Sequence, residues 1–178
     1  MKIINLGRYL SLEITARPSA FVSLALLWAV LGTIDIGLLD LPIGAALAGG
    51  FVAALLHYLS EFAHQGGHAF AARKTGHPML GLRYWWVLGT SIYPPDEGEL
   101  PDSVHLRRAL GGAPFSLVVT ILALIAVTRL PPASTSYWVA VFMFIDNLLV
   151  FTLGAFLPLG FTDGSTLLRI WRKRRSES

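Results

Sequence analysis

The chain has 178 residues, of which 54% are apolar and 14% charged, and its formal net charge is +3. A water-soluble domain usually carries about 25% charged residues, so this composition excludes an ordinary soluble protein. The chain has no cysteine, which excludes disulfides and thiolate metal sites.

Four apolar runs approach the roughly 20 residues that a helix needs to cross a bilayer. They are predicted at 19–39, 43–73, 109–127 and 137–157. A mixed, amphipathic lead-in (1–17) precedes the first run, and a basic tail (169–178) follows the fourth. We therefore predict a single membrane-embedded domain over 1–178.

The segment between the second and third runs, 75–108, is polar and rich in glycine and proline. Short strands are predicted in it around residues 82–88. The predicted fold class is an all-α polytopic membrane protein with about four transmembrane helices and a small β or loop element on the cytoplasmic side.

The distribution of lysine and arginine predicts the orientation of the chain. With the amino terminus inside, thirteen of the fourteen basic residues fall on the inner side and Arg129 alone lies outside. We therefore predict a multi-pass integral membrane protein with both termini and the 75–108 loop in the cytoplasm. The basic tail is predicted to contact anionic lipids of the bilayer, and nucleic acid is not an expected partner.

Two histidines in the second run are the most informative residues. His64 and His68 are four residues apart, so both imidazoles lie on one face of a helix and can share a metal ion. Hydrogen bonding within the bundle is the alternative, but ionisable groups in membrane spans are usually functional. Gly66 and Gly67, between them, indicate a close approach by either another helix or a substrate.

Asp163 is the natural third ligand, because the predicted orientation places it at the same depth as the two histidines. A catalytic zinc site commonly has three protein ligands and one water. The alternative is that Asp163, which precedes Gly-Ser-Thr, caps a short helix. The matching depth favours the ligand.

These residues resemble the site-2 protease family of intramembrane zinc metalloproteases. Residues 64–73 are similar to the family's H-E-x-x-H-A-x-A-A-R helix, 155–164 to its N-x-x-P-x-x-x-x-D-G segment, and 111–116 to its G-G-P-x-x-N turn. The resemblance implies a three-helix protease core within 43–168, with 19–39 as an added leading helix. It also implies Zn²⁺ as cofactor and a transmembrane protein as substrate.

The chain departs from the family pattern at three positions, Gln65, Ala155 and Ser116. Gln65 stands where the family has its catalytic Glu, and a carboxamide cannot accept the proton of the attacking water. A rate loss on the order of a thousandfold or more is expected. The chain is then either a natural pseudoenzyme or a deliberately disabled enzyme, and the near-isosteric change favours the second. Gln65→Glu is predicted to restore cleavage.

The remaining candidates concern substrate binding and the surroundings of the metal. In the family, the segment after the first core helix forms a small sheet whose edge could pair with unwound substrate. The candidate residues for contacting substrate are Val87, Leu88, Gly89, Thr90, Ser116 and Asn147. For Asp146 and Asn147, hydrogen bonding between helices is favoured over substrate contact. Glu61 lies on the same helix stripe as His64, and it is predicted either to orient a histidine or to form a plain polar pair facing the bundle, rather than to replace the missing base.

The sequence therefore predicts an intramembrane zinc metalloendopeptidase that cleaves transmembrane segments and is impaired by Gln65. The alternative is a non-catalytic membrane adaptor that binds transmembrane segments without cutting them. A metal transporter would need ligands spaced along a path, whereas the candidate ligands here cluster at one depth.

Overall fold

The computed structural model describes residues 2–176. Met1, Glu177 and Ser178, the ends of the two termini that are predicted to be cytoplasmic, lie outside the described residues. Within 2–176, four helical segments are long and apolar enough to cross a membrane. They are Pro18–Gly37, Ile43–Lys74, Asp102–Arg129 and Thr135–Phe156. The four predicted spans are confirmed, and the chain is a multi-pass integral membrane protein. Its sidedness stays a prediction.

Helices α1 (Pro18–Gly37) and α2 (Ile43–Lys74) form a closely packed pair. Pro18 occupies the first turn of α1, where its missing N–H leaves no hydrogen bond unmade. At the contact, a Cβ on Gly50 would lie only 2.8 Å from the backbone nitrogen of Gly32. Small residues at such a contact let two membrane helices approach to backbone distance.

The third and fourth spans are each interrupted. Helix α3 (Asp102–Ala109) is followed directly by α4 (Gly112–Arg129), and α5 (Thr135–Asp146) continues as a π-helical segment, Asn147–Leu153, and a 3₁₀ turn, Gly154–Phe156. Wide turns of this kind are frequent at functional sites. The final helix, α6 (Asp163–Ser176), begins at the predicted third ligand.

A sheet corrects the prediction of an all-α fold. Among the described residues its four strands are β1 (Ile4–Tyr9), β2 (Leu12–Ala16), β3 (Gly81–Trp85) and β4 (Leu88–Ile92), in the order β1-β2-β3-β4. Strands β2 and β3 are parallel, and the other two pairings are antiparallel. The lead-in predicted at 1–17 as amphipathic is therefore a hairpin. Strand β2 pairs with residues far away in sequence, which local patterning does not reveal.

The sheet packs against the C-terminal half of α2 and the beginning of α1. Its core contains Ile14, Leu82 and Tyr84, together with Ala72 of α2. Burial raises the pKa of the Tyr84 hydroxyl, which donates a hydrogen bond to the carbonyl oxygen of Tyr58. This packing places β4, an edge strand, beside the polar face of α2. The three-helix core implied by the resemblance stays a prediction.

Candidate metal centre

His64 and His68 lie side by side on α2 and are both buried. Their Nε2 atoms are 3.0 Å apart. Two imidazole lone pairs repel each other at this distance unless a cation or a proton lies between them. The arrangement is the one expected of two histidines that bind a single metal ion.

The other nitrogen of each ring has a protein partner. His68 Nδ1 donates to the carbonyl oxygen of Arg108 (2.8 Å), and His64 Nδ1 shares a hydrogen bond with Ser116 Oγ (2.8 Å). A carbonyl oxygen only accepts, so the His68 proton sits on Nδ1 and its Nε2 lone pair faces the site. Such partners fix both the tautomer and the ring orientation of a metal ligand.

Asp163 completes a group of three. Its Oδ2 atom lies 3.7 Å from His64 Nε2 and 3.4 Å from His68 Nε2, and the three donor atoms all lie within 4.8 Å of one another. Gly164 allows this placement, because a side chain there would overlap the carbonyl oxygen of Phe156. The close contact explains why glycine follows the aspartate at the start of α6.

The donor set fits zinc. Two imidazole nitrogens and one carboxylate oxygen are common ligands of a catalytic zinc ion, which keeps a fourth position for water. Helix α4 approaches the site with its first residue, and a Cβ on Gly112 would lie 2.5 Å from the Nε2 atoms of both His64 and His68. Glycine at this position therefore keeps the space beside the two nitrogens open.

The two glycines between the histidines have different surroundings. A Cβ on Gly67 would collide with the carbonyl oxygen of Gly111, whereas a Cβ on Gly66 would meet no other atom within 4 Å in the part of the chain that the structure describes. Of the two explanations for the pair, close helix packing applies to Gly67. It brings α4 against α2 directly beside the ligands.

Gln65 is held by hydrogen bonds at both atoms of its amide. Its Nε2 donates to Glu61 Oε1 (2.9 Å), and its Oε1 accepts from Ser91 Oγ in β4 (2.7 Å). Glu61 is buried, and the same carboxylate oxygen accepts a second hydrogen bond from the backbone nitrogen of Gly89 (2.9 Å). Glu61 therefore contacts Gln65 and β4 rather than a histidine ring.

A cavity of about 620 Å³ surrounds the three candidate ligands. Its walls come from α2, β4, α3, the π-helical and 3₁₀ segments of the fourth span, α6, and the loops that follow β4 and the fourth span. The residues of the predicted substrate set that line it are Leu88, Gly89 and Thr90.

The other three predicted substrate residues are engaged elsewhere. Ser116 holds the His64 ring, and Asn147 is fully buried and donates to Ser60 Oγ (3.0 Å). The carbonyl oxygen of Val87 accepts from His57 Nε2 (2.7 Å). Ala155, where the family has asparagine, does line the cavity.

Arg108 is a residue whose role the sequence did not reveal. Its side chain is buried and donates to both carboxylate oxygens of Glu97 (2.8 and 2.6 Å) and to the carbonyl oxygen of His77 (2.7 Å). The guanidinium also stacks on the Tyr93 ring at 4.0 Å. The hydrogen bonds from Arg108 lower the pKa of Glu97. These contacts secure the residue whose carbonyl oxygen orients His68.

Comparisons with known proteins place the fold. No protein-family model and no curated protein matches the chain. Its structure is similar to that of a site-2 protease from Methanocaldococcus jannaschii, with a TM-score of 0.65 and 17% sequence identity, over 97% of this chain and 73% of the other. The predicted resemblance is thus confirmed at the level of the fold: the chain is a membrane protein with the fold of a site-2 protease.

Proposed function

We propose that this chain is an intramembrane zinc metalloendopeptidase that captures transmembrane segments of other proteins. Gln65, at the position of the general base, impairs its hydrolytic step. The observation that carries the proposal is the convergence of His64, His68 and Asp163 in one cavity inside a bundle of membrane-spanning helices.

The residues divide into those that bind the metal and those that orient the ligands. His64, His68 and Asp163 would hold Zn²⁺, which when bound supplies a Lewis acid able to activate water and polarise a peptide carbonyl. Ser116 and the carbonyl oxygen of Arg108 keep the two imidazoles aimed at the site. None of these groups can shuttle a proton from water to a leaving amine, and Gln65, an amide, cannot do so either.

Strand β4 would present the substrate. It is an edge strand whose residues Leu88, Gly89, Thr90 and Ser91 line the cavity. A helix hides its peptide bonds, so a transmembrane segment must unwind before it can be cut. An unwound segment can add to an exposed strand edge through main-chain hydrogen bonds.

A non-catalytic adaptor is the second candidate, and the surroundings of Gln65 favour it. Both amide atoms of Gln65 have partners that suit an amide, so the position is integrated with its neighbours. An adaptor would keep the cavity, the strand edge and the metal, and would bind membrane segments without hydrolysing them. The metal-transporter alternative gains no support, because among residues 2–176 the one group of three potential ligands is the one already described.

The test combines capture and cleavage in proteoliposomes. A transmembrane reporter carrying a photo-crosslinker near its cytoplasmic end should be captured by the chain, and cleavage should be barely detectable. Cleavage that appears in a Gln65→Glu variant, and disappears when His64→Ala is added, would support the protease. Capture with bound zinc but no cleavage by either form would support the adaptor, and absence of capture would contradict both.

A further inference from the structure

Glu61 and Gln65 of α2 each form a hydrogen bond with β4. Glu61 Oε1 accepts from the backbone nitrogen of Gly89, and Gln65 Oε1 accepts from Ser91 Oγ. A third hydrogen bond, from Gln65 Nε2 to Glu61 Oε1, joins the two side chains. One helical turn of α2 thus holds two alternate residues of the strand that lines the cavity.

The direction of these hydrogen bonds matters for the strand edge. Backbone groups in a strand point alternately to its two sides, so Gly89 and Ser91 direct their amides to the same side. Because the Gly89 amide bonds Glu61 rather than β3, that side is the open edge of β4. The Gly89 amide therefore already donates to Glu61 and is not open to a substrate. The next amide on the open edge belongs to Ser91.

The absence of a side chain at residue 89 makes the contact possible. A Cβ on Gly89 would lie 2.6 Å from Glu61 Oε1 and 2.6 Å from Leu82 Cδ1. The strand backbone therefore reaches the carboxylate only because this residue is glycine, and any other residue would separate them.

Gln65 also satisfies a requirement of Glu61. A buried carboxylate must be hydrogen-bonded, and like charges in contact are strongly unfavourable. A glutamate side chain at position 65 would place a second carboxylate about where Gln65 now donates. The amide at position 65 and the carboxylate at position 61 are therefore a matched pair.

We propose that Glu61 and Gln65 form a clamp that fixes the open edge of β4 beside the metal centre, and that a captured peptide segment pairs with β4 from Ser91 onward. The consequence for capture rests on the proposed function, whereas the clamp itself does not.

Single-residue hydrogen exchange of the purified chain in detergent, without any peptide, tests the clamp. The Gly89 amide should exchange at least about tenfold more slowly than the Ser91 amide, although both lie on the open edge. Glu61→Ala should remove this protection, and Glu61→Gln should retain it, because a carboxamide oxygen still accepts from Gly89 and from Gln65. A Gly89 amide equally protected in Glu61→Ala would overturn the clamp.

A side-chain swap tests the matched pair. Gln65→Glu should lower both Gly89 protection and the thermal midpoint at neutral pH. The double variant Glu61→Gln/Gln65→Glu should recover both measurements. In it, the new amide at position 61 can accept from Gly89 and donate to the new carboxylate at position 65, which in turn accepts from Ser91. A double variant no better than Gln65→Glu alone would overturn the pairing, even if Glu61→Ala fails to fold.

Adding a peptide separates the clamp from the proposed function. The probe is a Leu/Ala transmembrane peptide of roughly 25 residues with a Gly-Pro break near one end. Binding should slow exchange of the Ser91 amide and leave that of Gly89 unchanged. A clamp intact by the first two measurements, with no peptide binding, would count against the proposed capture function alone. Peptide binding that leaves Ser91 unprotected would overturn the inferred register.

Discussion

The three histidines of α2 belong to two histidine–carboxylate arrangements, which differ in what the ring nitrogens contact. His57 Nδ1 meets both oxygens of Asp146 at 3.1 Å, and its Nε2 meets the carbonyl oxygen of Val87. His64 and His68 each use Nδ1 for a protein partner and direct Nε2 at each other and at Asp163.

The difference separates a structural pair from a metal site. Both nitrogens of His57 face acceptors, so neither keeps a free lone pair for a metal. The two facing Nε2 atoms of His64 and His68 are brought together without a protein donor between them. The residue types are the same in both arrangements and all three histidines are buried, so the hydrogen-bond partners, rather than the histidines themselves, indicate function.

Loss of a candidate ligand should have the largest effect on zinc. Asp163→Ala is expected to lower zinc affinity more than about a hundredfold, beyond the usual effect of removing an orienting partner. The purified chain should contain one zinc per molecule, measured by elemental analysis after competition with a chelator. His57→Ala is the matched control and should retain zinc. Full zinc content in Asp163→Ala would show that Asp163 is not a zinc ligand.

Breaking the other pair should affect stability instead. Asp146→Ala leaves His57 without its buried partner, and removal of one member of a buried ion pair typically destabilises by about 3–5 kcal/mol. Unfolding in mixed detergent micelles would measure the loss. Zinc content should be unchanged at temperatures where the variant is folded. A variant that loses zinc while it keeps wild-type stability would reverse our assignment of the two arrangements.

An orienting partner should have an intermediate effect. Ser116→Ala removes the hydroxyl that holds His64 Nδ1, and zinc affinity should fall about tenfold to a hundredfold with little change in stability. Thr120→Val is the control one turn along α4, since the Thr120 hydroxyl bonds a backbone carbonyl and not a histidine. Equal zinc affinities in the two variants would show that Ser116 does not orient the ligand.

The sequence predicted those parts of the molecule that depend on local spacing. The i, i+4 histidines, the four apolar spans and the short strands predicted around 82–88 follow from local patterns, whereas the substrate-binding edge was expected only from the family resemblance. The sequence did not predict the β1–β2 hairpin or the pairing of His57 with Asp146, which is 89 residues away. The Arg108 carbonyl is a backbone group, which any residue type supplies. Contacts of these kinds depend on tertiary packing, which no single-sequence pattern encodes.

The smallest expected effect concerns the outer support of His68. The ion pair between Arg108 and Glu97 stabilises the residue whose carbonyl oxygen orients that ligand, and it lowers the pKa of Glu97. A carboxyl group whose pKa is lowered by folding stabilises the protein at pH values above its ordinary pKa, which is 4.5 for Glu97. This stabilisation is lost as the pH falls through the lowered pKa. Glu97→Gln should therefore lower the thermal midpoint by a few degrees at most at pH 7, and the difference from wild type should shrink on acidification below that value. A difference that stays constant with pH would mean that packing, and not charge, makes the contribution. Glu97→Gln should lower zinc affinity only slightly, because the Arg108 backbone is also held by α3.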